Sequence, residues 1–243
     1  MDKNIFPDIR RDDIVYTYKE RAFTGFAPCF QNGVYSLACC KGAKNGKGMR
    51  QSVCRTIDEG KTVWILAIAA GDINRKDYNT SGILYNPGDA IYLAKIDRVC
   101  TWQEYSTDSV YSKRKDSYYV LKNGKVEWRS KVEKLHDTPE YKERDCGIGA
   151  CNSNGRSEVE IFTTEKQILI ASEYYIFNKG QQISANEKYK MLDVTWGFKC
   201  NDGDGILRAE ILNDFLQENN SFFCYSGTDP FNNPVVNKGG CCK

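Results

Sequence analysis

Histidine is all but missing from this chain: His136 is the only one in 243 residues. Its scarcity argues against the zinc sites and nucleophile–base pairs that depend on imidazole, because His136 stands alone in a charged, irregular segment. An excess of charge of one sign is missing too. Lysines and arginines number 34 against 32 aspartates and glutamates, a formal net charge of +2. No global field therefore draws the chain to nucleic acid or to an anionic membrane, and any basic site must be local. Long apolar runs are also absent. The most hydrophobic stretch, Thr62 to Ala70, is strand-sized and far short of a membrane span. The opening MDKNIFPDIRRDD lacks the apolar middle of a secretory signal, so a cytoplasmic location is expected.

Cysteine, by contrast, is plentiful, with 11 in the chain. An odd count in a chain long enough to bury a core, with no export signal, argues for thiols rather than disulfides. Cys39, Cys54, Cys100, Cys200 and Cys224 adjoin apolar or aromatic residues and read as small core hydrophobes. Cys146 and Cys151 have the spacing C-x4-C but no second pair of ligands. No metal and no cofactor are expected.

The most unusual chemistry lies between Gly25 and Arg50, GFAPCFQNGVYSLACCKGAKNGKGMR. A Gly-Phe-Ala-Pro turn and Asn32-Gly33 lead into a short strand from Val34 to Ala38. A loop with Gly42, Gly46 and Gly48 and the cations Lys41, Lys44, Lys47 and Arg50 follows. Glycines let backbone N–H groups converge, and the cations supply charge, so the loop has the makings of a phosphate or carboxylate site. It is not a Walker A loop. One residue too few separates Gly42 from Gly46-Lys47, and Gly48 stands where the magnesium-binding Ser or Thr belongs. The plain alternative is a solvated surface loop whose lysines keep the protein soluble.

Around this loop the pattern is strand-rich. Asp13 to Lys19 alternates as a strand, Gln51 to Glu59 has helical spacing, and Thr62 to Ala70 reads as a strand covered on both faces. Ala90 to Cys100 reads as a second inner strand, followed by the capping-box pattern Thr101-Trp-Gln-Glu104. Asn123-Gly124 between two apolar runs predicts a type I′ hairpin. Glu158 to Phe162 and Gln167 to Ala171 read as further strands, the second followed by Ser172 to Asn178. Gly205 onward has the period of an amphipathic helix. Asn201-Asp-Gly-Asp-Gly205 is not a calcium loop, because Cys200 and Ile211 fall at its first and twelfth positions.

The fold class expected is α+β: a β-rich curled sheet or small barrel, a few short helices and one amphipathic C-terminal helix. One domain over residues 1–243 is expected, with a core at 13–198, a helical extension at 199–228 and a flexible tail at 229–243.

Gly25-Phe-Ala-Pro28, Leu37-Ala-Cys-Cys-Lys41, Arg50 and the strand that follows resemble the second class of nucleotide modification associated domains. Ile168-Leu-Ile-Ala-Ser-Glu-Tyr-Tyr-Ile-Phe-Asn178 resembles the closing strand and aromatic patch of that family. The likeness spans about Tyr18 to Ile183. It implies a role beside enzymes that make or handle modified bases, in phage and mobile-element conflict systems. The run from Thr62 to Arg98 also resembles the small PUA-like barrels that grip extruded modified bases.

The leading functional expectation is binding of a nucleotide or modified nucleobase, free or in nucleic acid. Lys41, Lys44, Lys47 and Arg50 would hold phosphate beside Cys39 and Cys40, and Phe26, Tyr35, Tyr174 and Tyr175 would stack on the base. Core packing is the competing explanation for these aromatics. An enzyme acting on such a ligand is a second possibility, with Cys39 or Cys40 as nucleophile and Asp145 or Glu173 as acid or base. An adaptor or inhibitor that binds only protein is a third.

Overall fold

The computed structural model describes residues 6–23, 25, 27–38, 41–42, 47–73, 81–129, 155–177, 182–195, 197–200, 205–219, 222–224 and 231. Fifteen α-helices and strands are built from these residues, joined by two short 3-10 turns at Gln31–Gly33 and Glu187–Leu192. In chain order they are β1 (Ile14–Glu20), β2 (Tyr35–Leu37), α1 (Met49–Asp58), β3 (Val63–Ala69), β4 (Ala90–Ile96), β5 (Arg98–Cys100), α2 (Trp102–Thr107), β6 (Tyr119–Lys122), β7 (Lys125–Trp128), α3 (Glu158–Thr164), β8 (Ile168–Ala171), β9 (Glu173–Phe177), β10 (Phe198–Lys199), α4 (Gly205–Glu218) and β11 (Phe222–Cys224).

The main sheet has the order β10-β1-β3-β4-β9-β11, and β1 and β3 run parallel. Every residue of β3 is buried, as its unbroken apolar run requires of a strand covered on both faces. One face of the sheet carries α4. There Arg208 hydrogen-bonds Thr17 of β1, and Phe215 packs on Phe177 of β9 with ring centroids 5.9 Å apart. On the other face Tyr16 of β1 meets Thr56 of α1, hydroxyl to hydroxyl, at 2.9 Å.

The second sheet, β2-β8-β5, grows out of the first at a shared corner. β4 passes into β5 through Asp97, and β8 passes into β9 through Ser172, so two chain segments each serve both sheets. The Asp97 carboxylate fastens the corner by accepting the Ser172 N–H at 2.7 Å and its hydroxyl at 2.5 Å. The mixed α+β class is as expected. The described sheets are open, however, and none closes into a barrel.

Local signals account for most elements. Asn123 and Gly124 both have positive φ, 50° and 72°, as the type I′ hairpin between β6 and β7 demands. Thr101 and Glu104 form the complete capping box that starts α2. Glu158 to Phe162 is a correction, because this segment is helix α3 and not a strand. Ser157 caps it by accepting the Glu160 N–H, and two glutamates lie in the first turn. Of the expected tail only Phe231 is described, and it is buried. No helix among the described residues is long and apolar enough to cross a membrane.

Candidate functional site

The basic loop is pinned at both ends. The Arg50 N–H donates to the Lys41 carbonyl at 3.2 Å, which draws the two ends of the glycine-lysine segment together. Lys41 lies in the left-handed region, at φ 56°, a conformation that costs a non-glycine residue about 1–3 kcal/mol. The turn folds its side chain back onto the end of β1. Its Nζ donates to the Lys19 carbonyl at 3.1 Å, stands 4.5 Å from the centre of the Tyr18 ring and lies 3.9 Å from Glu20 Oε1. Gly48 then caps α1 with no side chain to accept from the first-turn N–H groups. Lys47 is exposed beside it.

Beneath Lys41 runs a row of buried polar groups. The Tyr18 hydroxyl donates to Glu20 Oε2 at 2.5 Å and also meets the Tyr92 hydroxyl, which lies 3.3 Å from that of Tyr35. β1, β3 and β4 set the row side by side: Tyr18 pairs with Ala67, and Ala67 pairs with Tyr92. Aromatic rings enclose it. Phe23 stacks on Tyr92 at 6.1 Å, and Phe30 lies within 5.3 to 5.5 Å of Tyr92, Tyr174 and Tyr35. Burial raises the pKa of Tyr18, Tyr92 and Tyr35, and the charge of Glu20 adds to the rise, so the phenols stay protonated and able to donate. A carboxylate and three hydroxyls thus lie closely packed inside an aromatic shell, a chamber filled by its own side chains with a lysine at one end.

The chain matches no protein-family model, no curated protein and no solved structure.

Of the residues expected to bind, Lys41 and Tyr35 stand at opposite ends of this row, Lys41 on Tyr18 and Tyr35 against Tyr92, and Tyr174 packs on it through Phe30. Tyr35, Tyr174 and Tyr175 are completely buried. Tyr175 follows Tyr174 in an extended strand and so points to the opposite face, where its hydroxyl donates to Glu173 at 2.8 Å. Arg50 also differs from its expected place in an exposed loop. It is 4 % exposed in the first turn of α1, and its guanidinium donates to the carbonyls of Ala38 at 2.9 Å and Gln167 at 2.7 Å. Phe26, Cys39, Cys40 and Lys44 lie outside the described residues, as do His136, Asp145, Cys146 and Cys151. Among the described residues no group of three or more metal-ligating side chains is assembled. Burial pushes the thiols of Cys54 and Cys100 up to about 12, which fits core residues rather than nucleophiles.

Sequence reading missed Glu20, Tyr18, Tyr92, Phe23 and Phe231 as parts of this site. The signal for Tyr18 and Glu20 was the alternation of β1, which puts both on one face. Nothing in the sequence paired that face with Tyr92. A second buried network supports the loop before β2. Arg114 donates to the Tyr105 hydroxyl at 2.9 Å, to Ser36 at 2.8 Å and to the carbonyls of Gln31 and Val34, while Asp116 accepts from Ser36 at 2.5 Å and from Tyr105 at 2.7 Å. This network holds the turn of Asn32 and Gly33, both with positive φ, that presents Phe30 and Tyr35. An open cleft of about 580 Å³, lined by Gln182, Asn186, Glu187, Tyr189 and Glu218, includes none of the expected site residues.

Proposed function

We propose that the chain binds a nucleotide or a modified nucleobase, free or within nucleic acid. Phosphate lies at the loop between Lys41 and Arg50, and the base enters the aromatic chamber next to Glu20. The observation that carries this reading is the position of Lys41. Its ammonium belongs to the glycine-lysine loop, yet it rests on Tyr18 and beside Glu20, so the basic loop and the aromatic cluster with its polar groups adjoin at one residue. Aromatic faces supply stacking, Glu20 accepts base N–H groups, and the phenols reorient to donate or accept. Lys47 adds charge at the rim. Arg50 acts indirectly, by closing the loop.

The resemblance to nucleotide modification associated domains supports the same ligand class and a place beside base-modifying enzymes of phage and mobile elements. The curled pair of sheets is read in the same way, as an opened relative of the PUA-like barrels, acting in the cytoplasm.

The test is to denature purified protein and identify released small molecules by mass spectrometry, together with a thermal-shift panel of mono-, di- and cyclic nucleotides and short nucleic acids. A co-purifying nucleotide, or a saturable shift with one member of the panel, is expected. No released nucleotide and no shift with any of them would overturn the reading.

A further inference from the structure

Phe231 packs into the aromatic chamber although it follows α4 and β11 in the chain. Its ring is 3 % exposed, lies edge-on to Phe23 at 4.9 Å and is tilted against Phe30 at 5.8 Å. The chain opposite has no side chain. Gly25 has φ 77°, and a Cβ there would stand 2.7 Å from Phe231 Cδ2, so the backbone itself lies against the ring. Two aromatic rings and a bare backbone thus clasp one flat six-membered ring. Phe23 in turn stacks on Tyr92 of the polar row, so one aromatic ring stands between this seat and the hydroxyls of that row.

We propose that Phe231 occupies the seat of the base: a nucleobase binds by replacing the Phe231 ring between Phe23, Phe30 and Gly25. This inference rests on the nucleotide-binding reading and adds a built-in competitor to it. Aromatic rings clasp a phenyl group and a base in the same way, since both present π faces and apolar thickness. The base adds what phenyl lacks, polar edges able to hydrogen-bond. Phe231 therefore keeps the chamber filled without a ligand and lowers the apparent affinity for one, because only the fraction of molecules with the ring withdrawn is competent.

The experiment places 4-fluorophenylalanine at position 231 of the full chain and follows its fluorine resonance while adenosine, guanosine, cytidine, thymidine and 5-methylcytidine monophosphates are titrated. With the nucleotide that binds, the resonance should move from its enclosed position to that of free fluorophenylalanine. Phe231→Ala, or Phe231→Leu where alanine impairs folding, should bind the same nucleotide about tenfold more tightly. Saturable binding with an unmoved resonance and unchanged affinity in the variant would overturn ring replacement and leave the nucleotide reading standing. Absence of binding to both wild type and the folded variant would overturn both.

Discussion

Two backbone carbonyls, those of Ala38 and Gln167, occupy the Arg50 guanidinium, and this changes what its removal should do. Charge-assisted hydrogen bonds of this kind contribute about 1.5–3 kcal/mol each, and Arg50→Ala also leaves buried acceptors without donors. Urea denaturation of Arg50→Ala should show a loss of about 2–4 kcal/mol. Lys47 is exposed, and Lys47→Ala should alter stability by less than about 0.5 kcal/mol while weakening a phosphate ligand by about 1–3 kcal/mol. A stability loss at Lys47 equal to that at Arg50 would contradict this division of roles. The sequence displayed both cations as members of one loop. It held no local sign that Arg50 turns inward, because its acceptor Gln167 is remote in the chain. Tyr35, Tyr174 and Tyr175 were legible as aromatics, but burial of all three depends on partners that only the fold supplies.

Among the elements, those with local signatures were the legible ones. The Asn123-Gly124 hairpin, the Thr101 capping box and the wholly apolar β3 each declare themselves within a few residues. α3 did not, because Val159, Ile161 and Phe162 suit a strand as well as a helix, and the deciding group was Ser157 outside the apolar run. Arg114 and Asp116 form an ion pair at 3.5 Å with 1 % and 0 % of their side chains exposed, and they brace the turn before β2. Removing one partner of such a pair leaves a buried charge uncompensated, which costs about 3–5 kcal/mol. Asp116→Ala should therefore lose that much in chemical denaturation and also displace Phe30 and Tyr35, weakening ligand binding without touching the ligand. Unchanged stability would show that the network does not brace the turn. Thr101→Ala, which loses only a helix cap, should cost about 1 kcal/mol and leave binding intact.

For the whole molecule, the mixed α+β class was expected from the strand and helix pattern, whereas the open sheets follow from pairings between distant segments. Asp97 and Ser172 create the shared corner, yet neither residue type announces a corner in sequence. The same burial has a consequence for pH. In the folded chain the thiols of Cys54 and Cys100 are pushed from the usual 9.0 up to about 12, and Tyr18, Tyr92 and Tyr35 are raised as well. A group whose pKa is raised by folding favours the folded state fully below its unfolded value. As pH rises past that value the unfolded chain releases its proton first, and stability falls until the folded pKa is reached. The melting temperature should thus decline between about pH 9 and pH 12, and Cys54→Ala with Cys100→Ala should reduce the part of the slope that begins near pH 9. Native protein should also leave both thiols unlabelled by iodoacetamide at neutral pH.

The loop at Lys41 and the aromatic cluster behind it are proposed to form one nucleotide site. Calorimetric titration of wild type and Lys47→Ala at low and high salt, with the nucleotide identified by the thermal-shift panel, tests it most directly. Saturable one-to-one binding to wild type that weakens with salt is expected, with about tenfold or more weaker binding to Lys47→Ala and a shallower salt dependence for the variant, since one phosphate contact is gone. Equal affinities and equal salt slopes for the two proteins would contradict it and leave the loop a solvated connection.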